Sequence, residues 1–126
     1  MPTEYTALVE ALQNTSIPFK EYGWETRPDA NFGVVGLDFE IGALNGDDKK
    51  QDRAFEGSVD VFFRKLSDRA TLASTIEGVL ESCCGSRWEL NSIQHETETG
   101  LFHIEWVFRV NGAITAPPAP EESGGT

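Results

Sequence analysis

Apolar residues at Tyr5, Leu8, Val9 and Leu12 follow the i, i+3, i+4, i+7 spacing of one helical face, which predicts a short helix from Glu4 to Gln13. Asn14, Ser16 and Pro18 end it. Ile17 to Tyr22 reads as a brief strand weakened by Pro18, and Gly23 to Asn31 as a loop carrying Trp24, Arg27 and Pro28. From Phe32 to Ile41 the period shortens to two. Val35, Leu37, Phe39 and Ile41 alternate with Val34, Asp38 and Glu40, predicting a strand with Val35, Leu37, Phe39 and Ile41 on its buried face. Ala43 to Arg53 then reads as an exposed loop, turned at Asn45 and Gly46 and kept in water by Asp47, Asp48, Lys49, Lys50, Asp52 and Arg53.

The clearest alternation follows, with Phe55, Val59, Val61 and Phe63 on one side and Glu56, Ser58, Asp60 and Arg64 on the other. Phe62 breaks it and is expected to pack outward. A second helix starts at Ser67 or Asp68, carries the stripe Leu72, Ile76, Val79, Leu80 and Cys83, and stops at Gly85. Trp88, Leu90 and Ile93 predict a strand with a bulge near Asn91 and Ser92, and Glu98, Thr99 and Gly100 a hairpin turn. The last strand, Leu101 to Val110, places Phe102, Ile104, Trp106, Phe108 and Val110 inside and His103, Glu105 and Arg109 outside. The sum is an α+β domain of order α-β-β-β-α-β-β: a mainly antiparallel sheet of four to five strands with two helices on one face. It spans residues 1–112, and the Pro/Gly/Ser-rich segment 113–126 is expected to be a disordered tail.

A length of 126 residues suits one core and not two. No stretch approaches the roughly 20 apolar residues of a spanning helix. The opening MPTEYTALVEALQ lacks the basic start and apolar run of a signal peptide, so the expectation is a protein that stays in the cytosol and meets no membrane. The balance of 21 acidic against 10 basic residues, net charge -11, disfavours tight nucleic-acid binding, which needs a basic patch. Adjacent Cys83 and Cys84 could form a vicinal disulfide; the plainer reading is two reduced thiols at a helix end.

The chain contains no GxSxG, HExxH, Walker loop, GxGxxG or paired CxxC. His95 and His103 flank the hairpin and would face each other across a three-residue turn, where Glu96, Glu105 or Cys83 could complete a metal site; otherwise they are two solvated strand histidines. Asp38 and Glu40 read as a solvated strand face, and Trp88 and Trp106 as core. Trp24 differs, since a loop tryptophan beside Gly23 is a candidate anchor for a partner. The expectation is a protein with no cofactor, metal or catalytic residue.

The stretch IPFKEYGWETRPDANFGVV, the polar loop after it, FEGSVDVFFR running directly into a helix, and the closing LFHIEWVFRV resemble the tail terminator, or tail completion, proteins of long-tailed bacteriophages and prophages. The resemblance covers residues 4 to 111, with short matches at Pro18 with Phe19, Tyr22 with Trp24, and Gly33. The sequence departs from that family in its longer charged loop and in its Pro-rich tail. The resemblance implies a structural virion protein that forms a hexameric ring on the head-proximal end of the tail tube. There it stops tube polymerisation and offers a joining surface to the head connector or neck protein. Its partners would be itself, the tube protein and the connector, with DNA only in transit through the ring. The candidate contact or lumen residues are Asn45, Asp47, Asp48, Lys49, Lys50, Asp52 and Arg53, with Trp24 as a further anchor. A neck or head-completion component of the same virion and a small ligand-binding α+β domain are the alternatives.

Overall fold

The structure, a computed structural model, describes residues 3–43 and 53–112. Helix α1 (Thr3–Gln13) is followed by strands β1 (Phe19–Glu21), β2 (Phe32–Ala43) and β3 (Arg53–Phe63), helix α2 (Arg69–Cys84), and strands β4 (Trp88–Glu96) and β5 (Leu101–Asn111). This is the expected order in an α+β fold. The five strands form one sheet in the order β1-β2-β3-β5-β4. Four of them pair antiparallel, while β1 runs parallel to β2 at Phe19↔Gly33 through Glu21↔Val35, so the sheet is mixed.

Both helices lie on one face because that is where the alternating positions put their apolar side chains. Tyr5, Leu8, Val9 and Leu12 of α1 and Leu72, Ile76, Leu80 and Cys84 of α2 close over Val35, Phe55, Val59, Val61, Phe63, Ile104, Trp106, Phe108 and Val110. Cys84 is the core member of the cysteine pair, and Cys83, placed in the stripe by the sequence, is only partly buried. Both thiols are free, and burial pushes that of Cys84 up to about 11, which leaves it a poor nucleophile at neutral pH. Asp68 takes the N-cap position of α2 after a single 3-10 turn, Leu66–Asp68, without a side-chain cap; its carboxylate instead accepts from Asn31 Nδ2 at 3.4 Å. Gly85 stops the helix at φ +62.

Two tryptophans tie the sheet to α2. Trp106 Nε1–H donates to Glu77 Oε2 and Trp88 Nε1–H to Glu81 Oε1, each at 2.9 Å, and residues 77 and 81 are one helical turn apart on the flank of α2 facing β4. A buried indole N–H needs such an acceptor.

The opposite face carries a smaller cluster in which Phe32, Phe62 and Leu101 pack with Trp24 and Val34. Phe62 therefore does point away from the helices, as expected.

The buried run expected on β2 stops early. After Leu37↔Gly57 the register slips, and Phe39 pairs with Glu56, a residue of the face without helices. A bulge adds one residue and inverts the alternation. Phe39 is consequently 56% exposed, and Ile41, itself extra at a second slip before Gly42, is 41% exposed. On β4 the expected bulge lies between Leu90 and Ser92, but Leu90 and Ile93 remain 47% and 53% exposed, because α2 covers that edge only in part.

At one end of the sheet Glu4 closes the fold. Its carboxylate accepts from Arg87 Nη1 at 2.8 Å and from the Asn111 backbone N–H at 2.8 Å. Burial raises the Glu4 pKa, but the Arg87 hydrogen bond, the Asn111 N–H and the guanidinium charge together outweigh it, and the net shift is downward. A lowered folded-state pKa contributes stability above the unfolded value, near 4.3, that is lost as pH falls through the folded value. The difference in Tm between wild type and Glu4→Gln should accordingly be present at neutral pH and close in acid. A difference independent of pH would mean that the ion pair is not formed.

Candidate assembly surfaces

Trp24 sits over the face without helices. Its Nε1–H donates to the Gly33 carbonyl at 2.9 Å, its ring meets Phe32 edge-on at 6.1 Å, and Lys20 Nζ lies 5.5 Å from its centroid. From it a layered stack crosses the sheet. Phe32 stacks on Phe62 at 4.8 Å, Phe62 on His103 at 4.2 Å, and the Arg27 guanidinium lies over Phe62 at 4.9 Å. These groups border a groove of about 400 Å³ that Tyr22 and Asp60 also line. Trp24 is half-buried in this stack, so the side chain nominated as an anchor is also part of an intramolecular cluster.

Arg53 is the only member of the nominated charged loop among the described residues; Asn45, Asp47, Asp48, Lys49, Lys50 and Asp52 lie outside them. It grips Glu40 in a two-pronged pair, Nε to Oε2 at 2.5 Å and Nη2 to Oε1 at 2.6 Å, and its guanidinium lies 5.8 Å from the Phe55 ring centroid. Glu40 pairs with Phe55 in the register, which is why the two side chains share a side.

The two histidines are kept apart by the length of the hairpin turn. Glu96 pairs with Leu101 and Gly100 N–H returns to the Glu96 carbonyl, so the turn takes four residues and His95 falls opposite Phe102 while His103 falls opposite Gln94. Neighbours on a strand point to opposite faces, and directly paired residues to the same one. His95 therefore lies on the helix side, stacked on Phe102 at 4.4 Å, and His103 on the other face with Nε2 2.7 Å from Asp60 Oδ1. They cannot share a metal ion, and among the described residues no group of three potential ligands is close enough to hold one. The His103–Asp60 contact joins β5 to β3, a pairing invisible without the register.

Carboxylates gather on the same face. Asp38 has its pKa raised by burial and by the neighbouring Asp60, Glu105 and Glu56. Arg109 approaches Glu56 at 3.8 Å and Asn91 donates to Glu105 at 2.7 Å, which leaves this field only partly compensated.

The two rims of the sheet are the remaining surfaces. At one rim β1 covers β2 only as far as Val35, Tyr22 extends the cover by accepting the Leu37 N–H on its hydroxyl at 3.3 Å, and Phe39 and Ile41 project beyond it. At the other rim β4 has no further strand among the described residues. There Leu90, Ile93, Ile104 and Trp106 of the sheet and Ala70 and Ala73 of α2 line a mostly apolar cavity of about 130 Å³, with Arg69 and Glu77 at its border. The alternation along the chain puts Phe39 and Ile41 on the buried face of their strand, so the first rim is hidden from it, and for Leu90 and Ile93 it gives a strand but no exposed edge. No local signal marks the bulge that turns Phe39 out.

No family model matches the sequence, and no curated protein does. Among solved structures the fold is similar to a chain of a structure described as the virion of a native gene transfer agent particle. The likeness covers 89% of this chain and 95% of that one at a TM-score of 0.54, with 14% sequence identity. No described helix is long and apolar enough to cross a membrane.

Proposed function

We propose that the protein is a structural component of a phage-like particle and, within it, a tail terminator: a ring on the head-proximal end of the tail tube that stops polymerisation and presents the head-joining surface. The observation that carries the reading is a fold matched over 89% of the chain by a component of a gene transfer agent virion. It agrees with the sequence resemblance, which lies in IPFKEYGWETRPDANFGVV, in the strands Phe55 to Arg64 and Leu101 to Val110, and in large part in the order of the elements. The work proposed is assembly and not catalysis. It takes place in the host cytoplasm and leaves the protein in the virion, with itself, the tube protein and the connector as partners.

Charge fits passage of DNA. With a net charge of -11 and Asp38, Glu56, Asp60 and Glu105 on one face of the sheet, a lumen formed by that face would repel the phosphate backbone as it moves.

Light scattering with and without tube protein tests the reading. Alone, the chain is expected to be a monomer or a weak oligomer, and tube ends should recruit it as a ring and stop growing. A stable dimer indifferent to tubes would defeat the proposal. Binding to the portal side and not to tubes would instead assign it to the neck or head-completion class.

A further inference from the structure

The two rims carry different apolar features on opposite edges of one sheet. One rim offers a knob, Phe39, 56% exposed beside Ile41. The other offers a hole, the cavity of about 130 Å³ between α2 and β4. An apolar cavity of about 150 Å³ holds a benzene molecule, so the hole is of the size a phenyl ring fills. A knob and a hole at different places on one surface make a heterologous contact, which passes from copy to copy and either closes into a ring or grows without end.

Resting on the ring reading above, we propose that Phe39 of one copy docks in the groove between α2 and β4 of the next, and that this contact builds the ring. The occupant is a second copy for reasons of charge as well as size. Arg69, exposed at the border of the groove, makes no ion pair among the described residues, while Asp38 stands beside the knob; Glu40, on its other side in the chain, is already held by Arg53. Burial, and then the neighbouring carboxylates of Asp60, Glu105 and Glu56, disfavour the ionised form of Asp38, and a guanidinium arriving from a neighbour would offset both. Leaving Phe39, Leu90 and Ile93 in water is the kind of exposed apolar surface that marks an interaction site.

The register also sets the geometry of the joint. Phe39 lies level with Glu56 of β3, whereas Ile93 lies level with Ile104 and through it with Val61. Five residues along the strand at about 3.4 Å each is a stagger of about 17 Å. Neighbouring copies would be offset along their strands, so the strands incline to the ring axis. Because Phe39 is on the face without helices and the groove opens on the helix side, the end of β2 laps over β4 of the neighbour and does not continue its sheet. The bulges in β2, which spoil strand pairing, are compatible with a lap and not with a shared ladder.

Disulfide mapping tests this contact. Purified Phe39→Cys and Ile93→Cys are mixed at the highest soluble concentration under mild oxidation, and the linked peptides are identified by mass spectrometry, which separates them from links to Cys83 and Cys84. Links between positions 39 and 93 should outnumber 39 to 39 and 93 to 93. The chain carrying both substitutions should cross-link into a closed oligomer. If links between 39 and 93 are absent or no commoner than the others, the proposal is overturned. Sedimentation with Phe39→Glu, an exposed position that the fold tolerates, should show self-association weakened about tenfold or more, the effect of losing a central apolar anchor. Should Phe39→Glu assemble as wild type does, this contact is wrong and the ring reading survives; should wild type form no assembly, alone or on tubes, the ring reading itself fails.

Discussion

Replacing Trp106 with alanine is expected to destabilise the fold by about 3–5 kcal/mol, the range for truncating a fully buried large aromatic side chain. Trp106 has no exposed surface, packs among the central strands, and ties β5 to α2 through Glu77. Its removal would open a cavity and leave the Glu77 carboxylate without its donor, and the two costs act together. Urea denaturation gives the size of the loss, and the drop in Tm should exceed about 10 °C for a domain of this length. Trp106→Phe keeps most of the packing and loses the hydrogen bond, so it should fall between the two. A Trp106→Ala variant within about 1 kcal/mol of wild type would be incompatible with a residue at the centre of the core.

The second large effect is expected at Gly57. A Cβ there would collide with the Gly36 carbonyl oxygen and lie 2.7 Å from the Phe108 ring, so the closest neighbour is backbone that cannot rotate aside. Gly57→Ala would force β2 away from β3 in the middle of the sheet. The loss should reach or exceed about 1–3 kcal/mol, the usual range for overpacking a core. Gly78 provides the control. It lies within α2 with nothing inside 4 Å of an added Cβ, so Gly78→Ala should stabilise by about 0.5–1 kcal/mol through helix propensity alone. Opposite signs for the two glycines in thermal melts, the loss at Gly57 larger than the gain at Gly78, would support the packing described; two small changes of one sign would contradict it.

Neither collision nor cavity can be located from the sequence, yet much of the architecture can. Both helices, the order of the seven main elements, Gly85 as helix stop, the outward turn of Phe62 and the bulge of β4 before Ser92 are legible because each depends on residues near one another in the chain. An amphipathic stripe or a two-residue period is a local pattern that tertiary packing then exploits. The metal arrangement imagined for His95 and His103 depended on a three-residue turn, and the four-residue turn placed the two rings on opposite faces. A change of one residue in a hairpin inverts every side chain beyond it.

The partner surfaces show the same division. That Trp24 is a loop tryptophan is a property of sequence; that it also closes a stack from Phe32 to His103 depends on residues far apart in the chain. The sequence by itself determined the α+β class, the buried faces of the helices and of β3 and β5, the acidic charge and the resemblance to a virion component. These follow from periodicity and composition. Only the tertiary structure decided that β1 pairs parallel with β2, that Cys84 and not Cys83 enters the core, and that Phe39 and Ile93 stand exposed at opposite rims. Those outcomes turn on strand register and on how far the helices reach across the sheet. Both are set by contacts between distant segments, whose free energies no local pattern in the chain records.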